Sequence, residues 1–564
     1  MKFVCLLLFS ISAIFAQIQY PKTDFRSPLD IPMQLSGNFG ELRANHFHAG
    51  LDYKTKKMEG LSVYAAADGY ISRIKISIFG YGKAIYITHP NGFTTVYGHL
   101  QKASPLIEKY IKDNQYKNNS FEIELFPNPE ELPIKQSDII AFSGNTGGSE
   151  GPHLHFEIRD SKTEKIINPM LFGFDTQLND TKKPSIVSLL AYPIGENSIV
   201  NESLNPVILN LSLQKDGSYV SEKVLANGKL GFGINTFDLS DYSWDKNGIY
   251  KAAAFLNGKQ VFGYQFDTFA FDESRFVNAL IDYPRYKKMS QRVQKLFLKK
   301  QCALSILMPF ESNGIFAVNS NINQVYRIEI SDFNDNKSII SIPIQFSSLP
   351  AKDVISEKKT PFFIKSNQEY NYEKDNWSVY FPATTFYDDF YLGFNVKENK
   401  LFLPNETIAV HSNFLVSVQD SISTEIEKQK MFIANFDRNK WNYNPTKLKN
   451  NIFSTYTKNW GHYQLMKDTL APKITISKPI EGKWITNQKT LQFIISDELS
   501  GIKQYNGYLN GKWILLEYDL KSKTITYNFE DGVFEDGKND LKLIVVDNIG
   551  NSTIFETQFF RKKQ

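Results

Sequence analysis

Residues 45–53 read "NHFHAGLDY" and residues 151–159 read "GPHLHFEIR". The chain has only eight histidines in 564 residues, and half of them fall in these two stretches. Imidazole nitrogen and carboxylate oxygen are ligands that Zn²⁺ takes, and a hydrolytic zinc site uses three protein ligands with the fourth position left to water. His48 and Asp52 are four apart, with the flexible Gly50 between them, so a bend can aim both at one ion. Alone, that pattern is equally a surface ion pair. In "HLHFEI" the flanking Phe and Ile favour a strand, in which residues two apart face the same side. His153 and His155 then project together, with Leu154 and Phe156 towards the core, and suit one ligand and one acid–base group.

With these residues the chain resembles the lysostaphin/LytM-like zinc endopeptidases, which cleave peptide bonds in peptidoglycan. Their signature is an H-x-x-x-D motif, then a histidine in a Y-x-H-L stretch, then an H-x-H motif. This sequence supplies His48 and Asp52, His99 in "VYGHL", and His153 and His155 in that order, and "SGNTGGSEGPHLHFEIR" is close to the family's usual wording. The resemblance covers about residues 35–172. It implies that His48, Asp52 and His155 hold Zn²⁺, brought from opposite ends of one small sheet. It also implies that His153 and His99 activate the attacking water and steady the tetrahedral intermediate. Bound zinc lowers the pKa of water from 15.7 to about 7, and an imidazole titrating near about 6.5 can take and return the proton. No covalent intermediate is then required.

Other residues near the motifs get weaker readings. His46 is either a contributor to the site's approach or a turn residue facing water. Glu157, on the same strand face as His155, either orients a ligand or is a solvated edge carboxylate. His89, in "ITHPNG", precedes a turn and receives no role. About forty residues separate "YGHL" from "SGNTGG", and they read as a groove wall or a lid beside His99.

The elements that must hold these groups read as strands. Segments such as "KAIYITHPNGFTTVYGHL" alternate apolar and polar residues and break at Asn-Gly or Asp-Gly, the strongest short hairpin signals. One interruption, "SPLIEKYIKDNQ" from Ser104, predicts a helix with Ser as N-cap, Pro105 in its first turn and Glu108 behind it. Aromatics make up 14% of the chain, with 29 Tyr and 44 Phe, which leans towards strands throughout. The fold class expected is mainly β: an N-terminal antiparallel β-sheet metallopeptidase domain followed by several β-sandwich, immunoglobulin-like domains.

A chain of this length exceeds what one core supports. A repeat marks later boundaries: "DTKKPSI" at Asp180–Ile186 and "DTLAPKI" at Asp468–Ile474 share D-T-x-x-P-x-I, and "FLNGKQV" (255–261) echoes "YLNGKWI" (508–514). The expected division is a leader at 1–16, a metallopeptidase domain at 17–179, and β-modules at 180–347, 348–466 and 467–564. The second unit carries a helical stretch around "RFVNALIDYPRYKKMSQRVQKLFLKK", split at Pro284. His411 and His462 are isolated, and an ordinary surface or hydrogen-bonded histidine is the reading for each.

The start, "MKFVCLLLFSISAIFAQ", has one lysine, a short apolar run and an A-x-A site, the pattern of a cleaved secretory signal. It is short of the roughly 20 apolar residues that span a bilayer, so stable membrane insertion is not expected. A periplasmic or secreted location follows. Beyond the signal Cys302 is the only cysteine, so no internal disulfide is expected and the cores must supply stability; in the strand-like run "QCALSIL" it reads as an inert thiol. A formal net charge of +4 with 22% charged residues gives no basic excess that would suit nucleic acid. Peptidoglycan is the expected partner, with a protein partner through the C-terminal β-domains as a further possibility. The competing reading is a non-catalytic scaffold that binds cell wall or activates another hydrolase. The aromatic stretch "NWSVYFPATTFYDDFYLGF" (376–394) would support wall binding if it were exposed for stacking on sugars, and a core strand pair is the other reading of it.

Overall fold

The computed structural model describes residues 19–300, 302–309, 312–354 and 359–563. The expected leader at 1–16 lies outside them. The histidine-rich segment forms an antiparallel sheet from β1 (Leu35–Gly37), β2 (Leu51–Lys54), β3 (Gly69–Ile76), β4 (Lys83–Thr88), β5 (Phe93–Gly98), β6 (Ile123–Leu125) and β7 (His153–Asp160). Their order is β1-β2-β7-β5-β4-β3-β6, within a ten-stranded sheet. Strand β7 lies between β2 and β5, so its alternation has opposite consequences on its two faces. Leu154, Phe156 and Ile158 are wholly buried in the core, while His153, His155, Glu157 and Arg159 project from the other side.

Helix α1 (Pro105–Asn118) forms where the sequence predicts it, with Ser104 extended at its N-cap and Asn119 left-handed at its end. The Ser104 side chain makes no cap bond; instead the Glu108 carboxylate accepts from the Ala103 N–H at 2.8 Å. The helix buries Ile107 and Ile111 in the core. Its outer side receives the C-terminal module, because Lys112 and Tyr116 bind the Asp531 carboxylate at 2.6 and 2.9 Å. The expected wall or lid over the site is therefore not what this insertion forms. Packing draws it to the β3–β6 side of the sheet, and no residue between 101 and 140 lines the cavity over the histidines.

Beyond residue 180 the chain remains mostly strand. Residues 185–346 join in one eleven-stranded sheet. From the same stretch Thr268–Phe269 joins the first sheet instead, pairing with Ile166–Ile167, and one apolar core runs from Phe25 to Ile344 across both sheets and takes in Leu515. The last two units each enclose a core between two sheets, of five and five strands and then of four and four. Both repeat signals recur in structure. Asp180–Ile186 leads into Ser185–Val200, and Asp468–Ile474 into Lys473–Ile476. The two Asn-Gly pairs, Asn257–Gly258 and Asn510–Gly511, have positive φ at both positions and close two-residue hairpins.

Two local readings need correction. The helical stretch shrinks to Val277–Leu280 and Tyr283–Met289, split near Pro284 as expected. Asp282 caps the second helix by accepting from the Arg285 N–H. Beyond Met289 the backbone turns extended, because Gln294 and Lys295 pair with Ile234 and Gly233 and the following Leu296, Phe297 and Leu298 are buried; tertiary packing overrides helix propensity there. Cys302 lies outside any strand and is partly buried, and burial pushes its thiol up to about 11, consistent with an inert group.

The turn between β3 and β4 interlocks with the loop that precedes β7. Gly82 has φ +65°, and a Cβ there would lie 2.4 Å from Thr146 Oγ1 and 2.5 Å from the Gly147 nitrogen. Gly92, in the β4–β5 hairpin, has φ +87° but nothing within 4 Å. Gly82→Ala is therefore expected to destabilise by about 2–4 kcal/mol and Gly92→Ala by about 1 kcal/mol, since only the first adds a backbone clash to the left-handed strain. Thermal melts of the two variants check the difference.

Candidate metal centre

The register of β2 against β7 sets Asp52 opposite His155. On the other edge of β7, His155 faces Gly98, the last residue of β5, and the next residue is His99. His48 lies in the bend just before β2. These three ligand candidates converge: His48 Nε2 is 3.0 Å from Asp52 Oδ1 and 3.2 Å from His155 Nδ1, and His155 Nδ1 is 2.9 Å from Asp52 Oδ1. They come from neighbouring strands rather than from opposite ends of the sheet. Tetrahedral zinc with bonds of about 2.0–2.1 Å separates its ligand atoms by about 3.3 Å, so the spacing fits a single small cation. All three residues are buried.

Each histidine is oriented by a partner on its other ring nitrogen, which decides which nitrogen is free. His48 Nδ1 donates to the Asn38 carbonyl at 2.8 Å, which turns Nε2 towards the centre. His155 Nε2 faces Glu157 Oε1 at 2.8 Å. His99 Nδ1 donates to the Thr146 carbonyl, and His153 Nδ1 to the Gly151 carbonyl, both at 2.8 Å. Both residues line the cavity, and the Nε2 of His153 lies 3.4 Å from Asp52 Oδ1. The His99 and His153 rings are 4.7 Å apart. His99 has φ +59°, a left-handed position held by its N–H bond to the Tyr81 carbonyl at 2.8 Å.

A layer of charge lies behind these residues. Arg43 Nη2 reaches Asp52 Oδ2 at 3.2 Å and Glu41 Oε2 at 2.9 Å. Glu157 is fully buried and accepts from Arg159 Nε at 2.7 Å and from the Tyr81 hydroxyl. The ligand-orienting reading of Glu157 is therefore the one its contacts match. His46 is exposed at the cavity rim and bonds only its neighbour, the Ala44 carbonyl at 2.9 Å. His89 is buried between the Asp68 carbonyl and Thr95, away from the centre. Sequence reasoning missed Asn38, Arg43, Tyr81, Thr146 and Arg159. Only Arg159 carried a signal, the same two-residue alternation that places Glu157.

The electrostatics separate the histidines. Burial works to raise the Asp52 carboxyl, but the charge of His48 and hydrogen bonds from His153, His155 and His48 hold it well below the usual carboxylate range. Burial would lower His155, but hydrogen bonds and charge from Asp52 and Glu157 push it up to about 9. His99 is lowered to about 3, first by burial and then by the charges of His155 and His153, and is neutral at pH 7. The centre opens into a cavity of about 1040 Å³, on whose walls lie Arg43, Lys54, Lys56 and Lys57 and also Asp245 from the next unit, which pairs with Lys54.

With carboxylate oxygens on both ring nitrogens, His155 holds two protons when no metal is bound. A cation that takes Nδ1 must displace one of them. Titrating a divalent metal into the metal-free protein at pH 7 is therefore expected to release at least one proton per ion. Affinity should rise with pH until His155 is neutral above about 9. Calorimetry in two buffers of different ionisation heat measures the release, and a value of zero contradicts the assignment.

Residues 46–116 match the model of peptidase family M23, and residues 362–468 that of the Zu5-like domain. The chain is 36% identical over 129 residues to the DD-carboxypeptidase/endopeptidase Mpg of Neisseria meningitidis, covering 23% of each protein. It is 30% identical over 145 residues to the peptidoglycan DD-endopeptidase ShyC of Vibrio cholerae, covering 24% of this chain and 27% of that protein. The matched segment thus spans about a quarter of these relatives' length. Among solved structures, the catalytic domain of the M23 protein EnpA of Enterococcus faecalis aligns at 21% identity and a TM-score of 0.20, over 26% of this chain and 98% of that one. The sheet that gathers these histidines thus carries a peptidase family M23 domain, matched over residues 46–116.

Proposed function

We propose that the protein is an exported zinc metalloendopeptidase that hydrolyses peptide bonds in peptidoglycan stem peptides or cross-links. The observation that carries this reading is the meeting of His48 Nε2, Asp52 Oδ1 and His155 Nδ1 within 3.2 Å of one another at the floor of an open cavity. His48, Asp52 and His155 hold the zinc; two imidazoles and one carboxylate are a donor set that zinc accepts. When bound, the ion supplies Lewis acidity towards the scissile carbonyl and a water acidic enough to ionise near neutral pH. The substrate class comes from the relatives, one a DD-carboxypeptidase/endopeptidase and the other a peptidoglycan DD-endopeptidase.

His99 and His153 serve the reaction from the open side. His99, neutral and anchored through Nδ1–H, presents Nε2 as the acceptor for the proton of the attacking water and returns it to the leaving amine. His153, anchored on Gly151 through Nδ1–H and protonated on its second nitrogen as well, directs Nε2–H to where negative charge develops on the carbonyl oxygen. Both rings are held before substrate arrives, so little reorganisation is needed. Exposed Lys56 and Lys57 on the cavity wall suit the carboxylates of an acidic peptide stem. The leader at 1–16 would place the enzyme in the periplasm or outside the cell, where its substrate lies. In the same reading residues 17–179 form the catalytic unit, and those at 180–347, 348–466 and 467–564 form the accompanying β-modules. Among the described residues no helix is long and apolar enough to cross a membrane.

The scaffold reading has no comparable support. The aromatic stretch at 376–394 is mainly core: Trp377, Phe381, Phe386 and Phe390 are buried, with Phe386 stacked on Trp460. His155→Ala and Asp52→Ala are expected to lose both bound zinc and cleavage. His99→Ala should keep the zinc but lower kcat by about 10²–10⁴. Elemental analysis of the purified variants, with muropeptide release from isolated sacculi, reads both quantities. A His155→Ala protein that still cuts sacculi would sink the metal mechanism.

A further inference from the structure

The D-T-x-x-P-x-I repeat leads to a second kind of site. Asp180 opens the first copy, and its carboxylate meets those of Asp238 and Asp332, with one oxygen of each within 4.8 Å of the others. Asp238 and Asp332 are 4% exposed. Asp468 opens the second copy and meets Asp497 and Asp547 in the same way. The two clusters share a frame. Asn336 donates its N–H to Asp332 Oδ1 (2.9 Å) and its side-chain amide to Asp332 Oδ2 (2.7 Å) and the Asp180 carbonyl (3.1 Å). Asn551 repeats this with Asp547 Oδ1 (2.8 Å), Asp547 Oδ2 (2.7 Å) and the Asp468 carbonyl (3.2 Å).

They differ in what remains unpaired. In the second cluster Asp468 accepts from the N–H groups of Leu470 and Ser500, and Asp497 from those of Leu499 and Gly501, so backbone donors carry the charge. In the first, Asp238 Oδ1 and Asn247 Oδ1 are buried with no hydrogen-bond partner, on residues only 4% and 5% exposed. Asp238 and Asn247 exchange both backbone bonds at 2.9 Å, the antiparallel pairing that puts two side chains on one face. That face is a cavity of about 40 Å³, lined also by Asp180 and Asp332. Among the described residues no lysine or arginine forms an ion pair with these carboxylates; Lys182 Nζ donates to the Ser240 carbonyl instead. Three acids and an unpaired amide oxygen sharing one buried pocket are costly without a counter-charge. In keeping with this, burial and the neighbouring carboxylates raise both Asp180 and Asp238.

We propose that Asp180, Asp238, Asp332 and Asn247 Oδ1 form a binding site for a hard divalent cation of the calcium class, separate from the peptidase centre. Four oxygens and no nitrogen or sulfur favour such an ion over zinc, and the cavity leaves room for water to complete its coordination. The ion would sit at the seam between the peptidase sheet and the next unit, since Leu35, Asn38 and Phe39 line the same cavity. Gly248, the neighbour of Asn247, exchanges two hydrogen bonds with the Asn38 side chain at 2.7 and 2.8 Å. The Asn38 carbonyl is the one that orients His48. Bound calcium would therefore brace the segment that aims a zinc ligand.

The test is calcium chloride titrated into the full-length protein after stripping with chelator, followed by calorimetry and thermal melts. Calcium should bind and raise the melting temperature by about 5 °C. His155→Ala should retain this response, and Asp238→Asn should lose it. In chelator, Asp238→Asn should melt no lower than the unaltered protein, because it removes a buried repelling charge. That keeps loss of binding distinct from loss of folding. Calcium that produces neither heat nor a melting shift, or binding that survives Asp238→Asn, overturns the site.

Discussion

The antiparallel pairing of β2 with β7 in one register is the constraint on which the site depends. It sets Asp52 opposite His155, and everything else at the centre is placed relative to that pair. A slip of one residue would turn His153 and His155 into the core and Leu154 and Phe156 out to the cavity. The apolar face of β7 guards against that slip, because Leu154, Phe156 and Ile158 are wholly buried. The core therefore stabilises the fold and fixes the chemistry through the same strand, one face for each.

Around this pair the protein arranges partners for the ring nitrogens that do not face the centre. Asn38, Glu157, Thr146 and Gly151 each accept from one histidine. One of these acceptors, Thr146, lies against Gly82 where two loops interlock, and beside it the carbonyl of Tyr81 holds the left-handed His99 backbone. The peptidase sheet is thus not autonomous. It shares a core with the following unit, and its α1 insertion is bonded to the C-terminal module some four hundred residues later. The β-modules brace the histidine-bearing sheet as well as extending the chain beyond it.

Much of the site was legible in the sequence because its candidate ligands lie in short motifs with strong local geometry. The i, i+2 spacing of His153 and His155 needs only a strand to become a shared face. The α1 helix was legible for the same reason, since Ser104, Pro105 and Glu108 are local stop and start signals. The Asn-Gly hairpins were as well. What failed was anything that depended on where an element would be packed. The insertion after His99 read as a lid because it follows His99 in sequence, yet it lies on the far strands. The run after Met289 read as helix because its apolar spacing allows one, yet it extends to pair with Gly233 and Ile234.

By itself the sequence determined the residue types able to bind a metal, their order along the chain, the mainly β architecture and the repeat that opens two of the modules. Only the tertiary structure decided that Asp52 and His155 are neighbours, that Arg43 and Glu157 set the charge behind them, and that one acidic cluster of the repeat keeps unpaired oxygens while its twin does not. The physical reason is range. Turns, caps and strand alternation are set by contacts within a few residues, which spacing reveals. Burial, charge compensation and the choice of hydrogen-bond partner depend on groups tens to hundreds of residues apart, and these meet only when the sheets close on their cores.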